Sequence, residues 1–269
     1  MDIRNVLVSL GSGTPANVLG CAVNIAERFR ARITGLAAAE PSTIFIEGPA
    51  AVTAYEKARA DIDEALTLTK LDFEARVPRD LMARWVGAVQ NPTVALRRES
   101  VGADLVVASF GAPAGGDAHP DLGEAVVTIG RPVMVLAENA APRVGRRVLV
   151  AWKDRREARR AVADALPFLK GAELVRVATV DEGNYSTERL GLDHILAWLH
   201  GHDVAATGEV LPTISGGSGS DAILNAASAL DADLVVAGAY GHSRVREWLL
   251  GGMTRGLLSA GRTSLLLSN

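Results

Sequence analysis

The sequence predicts an α/β fold built from two tandem, doubly wound domains, each a five-stranded, mostly parallel sheet with helices on both faces. Three observations predict it. The hexapeptide Ala-Asp-Leu-Val-Val-Ala occurs at 103–108 and again at 232–237. Each copy is preceded by its own Val-Leu-Val run, at 6–8 and 148–150, and followed by a Gly-Arg step into an apolar run, at 130–136 and 261–267. Between these anchors, short apolar runs alternate with stretches of helical period, which requires right-handed crossovers and a parallel sheet covered on both faces. A repeat of this length is a domain rather than a solenoid unit. A chain of 269 residues suffices for two domains, each with a core of its own.

In the second half the apolar run at 147–152 is the first strand. A helix follows at 155–169, with Ala158, Ala161, Val162, Ala165 and Leu166 on one face. Strands at 173–180, 204–210 and 233–238 then alternate with helices at 186–200 and 221–230, and a helix at 245–260 and a strand at 263–268 close the unit. The first half repeats the order with strands near 4–9, 33–39, 73–77, 104–109 and 132–136, and its excess length lies around 41–69. Residues 138–145 are polar, carry Pro142 and Gly145 and show no apolar period, so they read as a linker between domains at 1–139 and 144–269.

Composition narrows the function. The slightly acidic balance, a net charge of −3, gives no reason to expect a polyanion, so nucleic acid is not an expected partner. Cys21 is the only cysteine, which excludes an internal disulfide and a cysteine-based zinc cluster and favours a reducing, cytoplasmic setting. No apolar signal region precedes the first strand and no uninterrupted apolar run is long enough for a bilayer, so no membrane association is expected. None of the five histidines stands at metal-ligand spacing with a carboxylate, and no metal site is expected.

In open α/β sheets ligands bind beyond the carboxyl ends of the strands. After the fourth strand of the second half, Gly238 and Gly241 stand three apart, His242 and Ser243 follow, and Gly251-Gly252-Met253-Thr254 opens a helix. Glycines let backbone approach a ligand closely, and a helix start offers free N–H groups to an anion. These residues resemble the universal stress protein family, whose nucleotide-binding members carry Gly, two residues, Gly, nine residues, then Gly followed by Ser or Thr. The resemblance covers the whole chain as a tandem, with the glycine motif confined to the second copy.

The resemblance implies an adenine-nucleotide alpha-hydrolase-like fold and a regulatory stress-response protein that binds ATP, magnesium being left open. Gly238, Gly241, Gly251, Gly252 and Thr254 are the implied contacts, with His242, Ser243 and Met253 beside them. Gly252 stands where the family has a hydroxyl, and Thr254 is the nearest replacement. The family's Asp-Gly-Ser after the first strand is here Lys153-Asp154-Arg155, so Lys153 or Arg155 is expected to reach the phosphates in place of an acidic contact. Trp152, which ends the first strand, is expected to pack against the sheet, with a place beside the ligand as the alternative. The loop has no Walker-type lysine and no evident general base, which favours binding as a signal over turnover. The competing view is that the glycines only permit a tight turn and a close helix–sheet contact, in a nucleotide-independent dimerisation or scaffold protein.

The first half serves as an internal control. Ser109 and Ala112 replace the first two glycines, and Pro120 and Asp121 stand where Gly251 and Gly252 do. A carboxylate there repels phosphate, so this copy is expected to have lost the nucleotide. A second motif, Gly11-Ser-Gly13-Thr-Pro-Ala16 with Glu40 downstream, has the form of a dinucleotide fingerprint. Its plainer explanation is Thr14 as a helix cap with Pro15 at the first helical position. Ser215 to Ser220 mimics a nucleophile elbow and reads as a helix cap, and the arginines at 155, 156, 159 and 160 read as a solvated face. By the resemblance, the last strands at 131–136 and 263–267 pair within the chain as an intramolecular pseudo-dimer, which covers two sheet edges and leaves room for a homodimer.

Overall fold

The computed structural model describes residues 2–11, 14–41, 49–110, 118–213, 217–239 and 252–269. In the first half β1 (Asn5–Ser9), α1 (Ala16–Phe29), β2 (Arg32–Ala39), α2 (Pro49–Arg76), β3 (Ala83–Val89), α3 (Pro92–Glu99), β4 (Leu105–Ser109), α4 (Leu122–Thr128) and β5 (Val133–Leu136) follow in order. The second half repeats the plan with β6 (Arg147–Ala151), α5 (Arg156–Leu169), β7 (Leu174–Val180), α6 (Tyr185–Gly201), β8 (Ala206–Leu211), α7 (Gly219–Ala229), β9 (Leu234–Gly238), α8 (Gly252–Ala260) and β10 (Ser264–Ser268).

Side chains alternate across these strands and both faces are buried, which is why the strands are near-continuous apolar runs. Val6, Val8, Val148, Val150, Val236 and Leu266 face one core with α1, α2, α5 and α6. Leu7, Leu149, Val235, Leu265 and Leu267 face the other with α3, α4, α7 and α8. The strands form a single ten-stranded sheet in the order β3-β2-β1-β4-β5-β10-β9-β6-β7-β8. Each half is parallel throughout, and the halves meet where β5 and β10 pair antiparallel, Leu266 opposite Met134.

The third strand departs from the sequence reading. Residues 73–77 are not a strand but the end of α2, and β3 begins at Ala83. Phe73, Ala75 and Val77 alternate as a strand would, yet only Phe73 and Val77 are buried, and they are four apart, on one helical face. The Phe73 ring fits over Gly35, where a Cβ would lie 2.7 Å from it, and packs on Trp85 with ring centroids 5.4 Å apart.

The repeated hexapeptide has a mechanical reason. Its aspartate ties down the amino end of the first strand in each half. The Asp104 carboxylate accepts the backbone N–H groups of Arg4 and Asn5, each at 2.9 Å. That of Asp233 accepts those of Gly145, Arg146 and Arg147 at 3.0–3.2 Å. Charge-assisted bonds of this kind fix the register of the central strands.

The linker is bound to α1. Asn17 donates to the carbonyls of Ala137 and Ala140 at 3.3 and 3.1 Å, and the Cys21 thiol donates to that of Ala141 at 3.2 Å. Cys21 is wholly buried, and burial pushes its thiol up to about 11. A thiol reagent at pH 8 is therefore expected to leave the native chain unlabelled and to modify Cys21 only in denaturant. Native labelling at the unfolded rate, followed by mass spectrometry, would contradict this burial.

Candidate nucleotide-binding site

The carboxyl edge of the second-half sheet is shaped first by packing at Gly238. A Cβ there would lie 2.5 Å from the Ala158 nitrogen and 2.6 Å from the Glu157 carbonyl carbon, so the first turn of α5 sits directly on the end of β9. On the opposite face of the sheet α8 starts at Gly252, which is exposed and where a Cβ would meet nothing within 4 Å among the described residues. Close contact with α7 fixes α8: a Cβ at Gly256 would lie 2.1 Å from Ser220 Oγ, and one at Gly219 would lie 3.1 Å from the Met253 methyl. Thr254 is buried under the first turn and already engaged. Gly241, His242, Ser243 and Gly251 lie outside the described residues.

Beyond β6, Trp152 is 6% exposed, and its buried indole N–H has no hydrogen-bond partner among the described residues. The ring belongs to the core under α5 and α6, and Nε1 lies 3.7 Å from where a Cβ at Gly191 would be. The Lys153 ammonium binds the Glu182 carboxylate at 2.5 Å. Asp154 binds Arg159, also at 2.5 Å. Arg155, the residue that caps α5, is exposed and makes no ion pair among the described residues. Of the two cations expected at the phosphates, one is thus held by a carboxylate and the other is open.

Sequence reasoning missed Glu157 and Glu182. Glu157 is buried in the first turn of α5, beside Gly238, and pairs with Arg156. Burial alone would push its carboxyl up, but hydrogen bonds from Arg156 and from its own backbone, with the charges of Arg156 and Arg155, hold it below the usual carboxylate range. Its position after two arginines at a helix start was the available signal, since a carboxylate favours that end of the helix dipole. Nothing in the spacing of 29 residues between Lys153 and Glu182 could have paired them.

The corresponding edge of the first half is closed by its own side chains. Asp121 caps α4, its carboxylate accepting the Glu124 N–H at 3.0 Å, while its own N–H donates to Thr93 Oγ1 at 2.8 Å. Gly11 faces the Ala118 carbonyl, which a Cβ would approach to 2.3 Å, so the chain itself lies where a pyrophosphate would have to approach this glycine. Gly13 lies outside the described residues, and Glu40 accepts from the Asn91 amide at 2.8 Å. Thr14 does not cap α1, as its sequence context suggested. Its hydroxyl instead accepts the Gly11 N–H at 2.7 Å and closes a turn, leaving Pro15 at the cap. The apparent nucleophile elbow is a helix cap: Ser218 and Asp221 form a reciprocal capping box at the start of α7.

Among the described residues no group of His, Cys, Asp or Glu could hold a metal ion, and no helix is long and apolar enough to cross a membrane. Together these features define an open, doubly wound α/β protein of two similar units, with a glycine-bearing sequence between β9 and α8 of the second. Residues 145–268, which span the second half, match the model of the universal stress protein family. Over its whole length the fold is similar to a universal stress protein from Archaeoglobus fulgidus DSM 4304, with a TM-score of 0.73, 16% identity, and coverage of 100% of this chain and 97% of that one. It is also similar to a functionally unknown protein from Pseudomonas aeruginosa PAO1, with a TM-score of 0.64, 16% identity, and coverage of 99% and 92%. At this identity the likeness establishes the fold. No curated protein matches the chain.

Proposed function

We propose that this protein is a cytoplasmic stress-response regulator that binds one adenine nucleotide, ATP, in its second half, through the loop that runs from Gly238 to Gly252. The observation that carries the reading is the contrast between the two halves at the same point of the fold. Among the described residues a Cβ at Gly252 would meet nothing within 4 Å, whereas the helix start at Asp121 is filled by its own carboxylate. A helix start suits a phosphate, and glycines at 241 and 251 would let backbone follow it. Arg155 is the cation at hand, and Lys153 joins it on leaving Glu182. ATP would supply the binding signal rather than a reaction, since the loop sequence carries no Walker-type lysine.

Titration calorimetry with ATP on the native chain and on a Gly241→Asp variant tests this. Saturable binding is expected in the first and at least about tenfold weaker binding in the second, because a carboxylate in the loop opposes the phosphates. Absence of heat at millimolar ATP in the native chain sinks the nucleotide reading. One observation favours the scaffold alternative: packing against α5 accounts for Gly238 without a ligand. That alternative requires Gly241→Asp to leave every function of the chain intact.

A further inference from the structure

At the amino edge of the first half, the starts of β1, β2 and β3 border a half-open hollow of about 290 Å³. It is lined in part by Asn5, Arg32, Thr34, Arg84 and Glu99. This size is at the lower end for small-molecule pockets, about 300 Å³ and upward. Glu99 is largely buried and accepts from Arg84 and Arg98, each at 3.1 Å, so one carboxylate is outnumbered by two guanidinium groups. Arg84 gives it one N–H of Nη2 and is otherwise exposed. Arg32 is exposed and has no ion pair among the described residues. Two guanidinium groups with unspent donors therefore border a hollow that also offers the Thr34 hydroxyl and the Asn5 amide.

The second half carries a different side chain at this point of the fold. Asp104 donates its N–H to the Asn5 carbonyl, and Asp233 donates its own to that of Arg147, so Asn5 and Arg147 are equivalent. The long side chain of Arg147 crosses to the Leu230 carbonyl, donating at 2.7 Å. Asn5 is too short to do so and turns back to Asp104 at 3.3 Å. The first half thus has a shorter side chain where the second has an arginine, and it places arginines at the rim instead.

We propose that this hollow is a site for a small anion with a carboxylate or phosphate head, gripped by Arg32 and Arg84, with Glu99 holding Arg84 in place. Guanidinium forks match either head group with paired, charge-assisted bonds. The site belongs to the half that lacks the glycine loop, and it stands whether or not the second half binds ATP.

The test is titration of the ¹⁵N-labelled full chain with inorganic phosphate and, separately, with citrate, followed through the amide signals of Asn5, Arg32, Arg84 and Ala103. The expected result is saturable shifts confined to this cluster, with a Kd of about 1 mM for at least one anion, and the anion that saturates identifies the head group. Arg32→Ala is expected to weaken this at least about tenfold, and Arg32→Lys to restore part of it. Gly241→Asp is expected to leave it unchanged. Shifts that stay linear in both anions, or saturation that survives Arg32→Ala in a well-dispersed spectrum, would overturn the proposal.

Discussion

Replacing Phe168 by alanine is expected to lower the stability of the chain by about 3–5 kcal/mol, the range for a fully buried phenylalanine. Phe168 is on α5 in the second half, has no exposed surface, and meets Phe29 of α1 edge to face with ring centroids 5.2 Å apart. Arg28 lies over both rings, 5.1 and 5.6 Å from their centroids, and donates to the Val144 carbonyl of the linker. One ring thus joins both halves and the segment between them. Alanine would leave a cavity bordered by helices that the continuous sheet prevents from collapsing, which places the cost toward the top of the range. Urea denaturation measures it, and a loss under about 1.5 kcal/mol would mean that the halves are held by the β5–β10 pairing alone.

Gly238→Val is expected to be destabilising by on the order of 3 kcal/mol, because overpacking costs most where the neighbours cannot yield. The atoms a new Cβ would meet are the backbone of Glu157 and Ala158, so α5 itself must shift. The same substitution moves the start of α5, with Arg155, and under the proposed function ATP affinity is expected to fall with stability. Gly252→Ala is the control. Among the described residues it meets nothing within 4 Å, and it should change the melting temperature little. Equal stability of the Gly238→Val and native chains would show that α5 is free to move at this point.

Most strands were legible in the sequence because a sheet buried on both faces demands unbroken apolar runs, and the repeat at 103–108 and 232–237 located the same strand twice. The error at 73–77 arose because Phe73 and Val77 fit a period of two as well as a spacing of four when Ala75 lies between them. Helix length resolved it: α2 runs unbroken from Pro49 to Arg76. The aspartate of the repeat was visible as a letter, but its role was not, since it depends on backbone N–H groups about 100 positions away in the first half, at Arg4.

At the site, glycine spacing was legible and charge pairing was not. Lys153 in place of an acid pointed to a phosphate contact, yet the nearest partner proved to be Glu182, brought in by the loop after β7. Such an exposed pair contributes at most about 1 kcal/mol and is displaceable by a phosphate. Glu157 was masked by the arginines around it, whose solvated appearance concealed one buried carboxylate.

The most direct measurement is the number of ATP molecules bound per chain, obtained by calorimetry on nucleotide-free protein and cross-checked by mass spectrometry of what the freshly purified protein releases on denaturation. One per chain is the expected result, since Gly252 opens a helix start that Asp121 closes in the other half. Two per chain would contradict that contrast, and none would leave a two-unit α/β protein that works without a nucleotide.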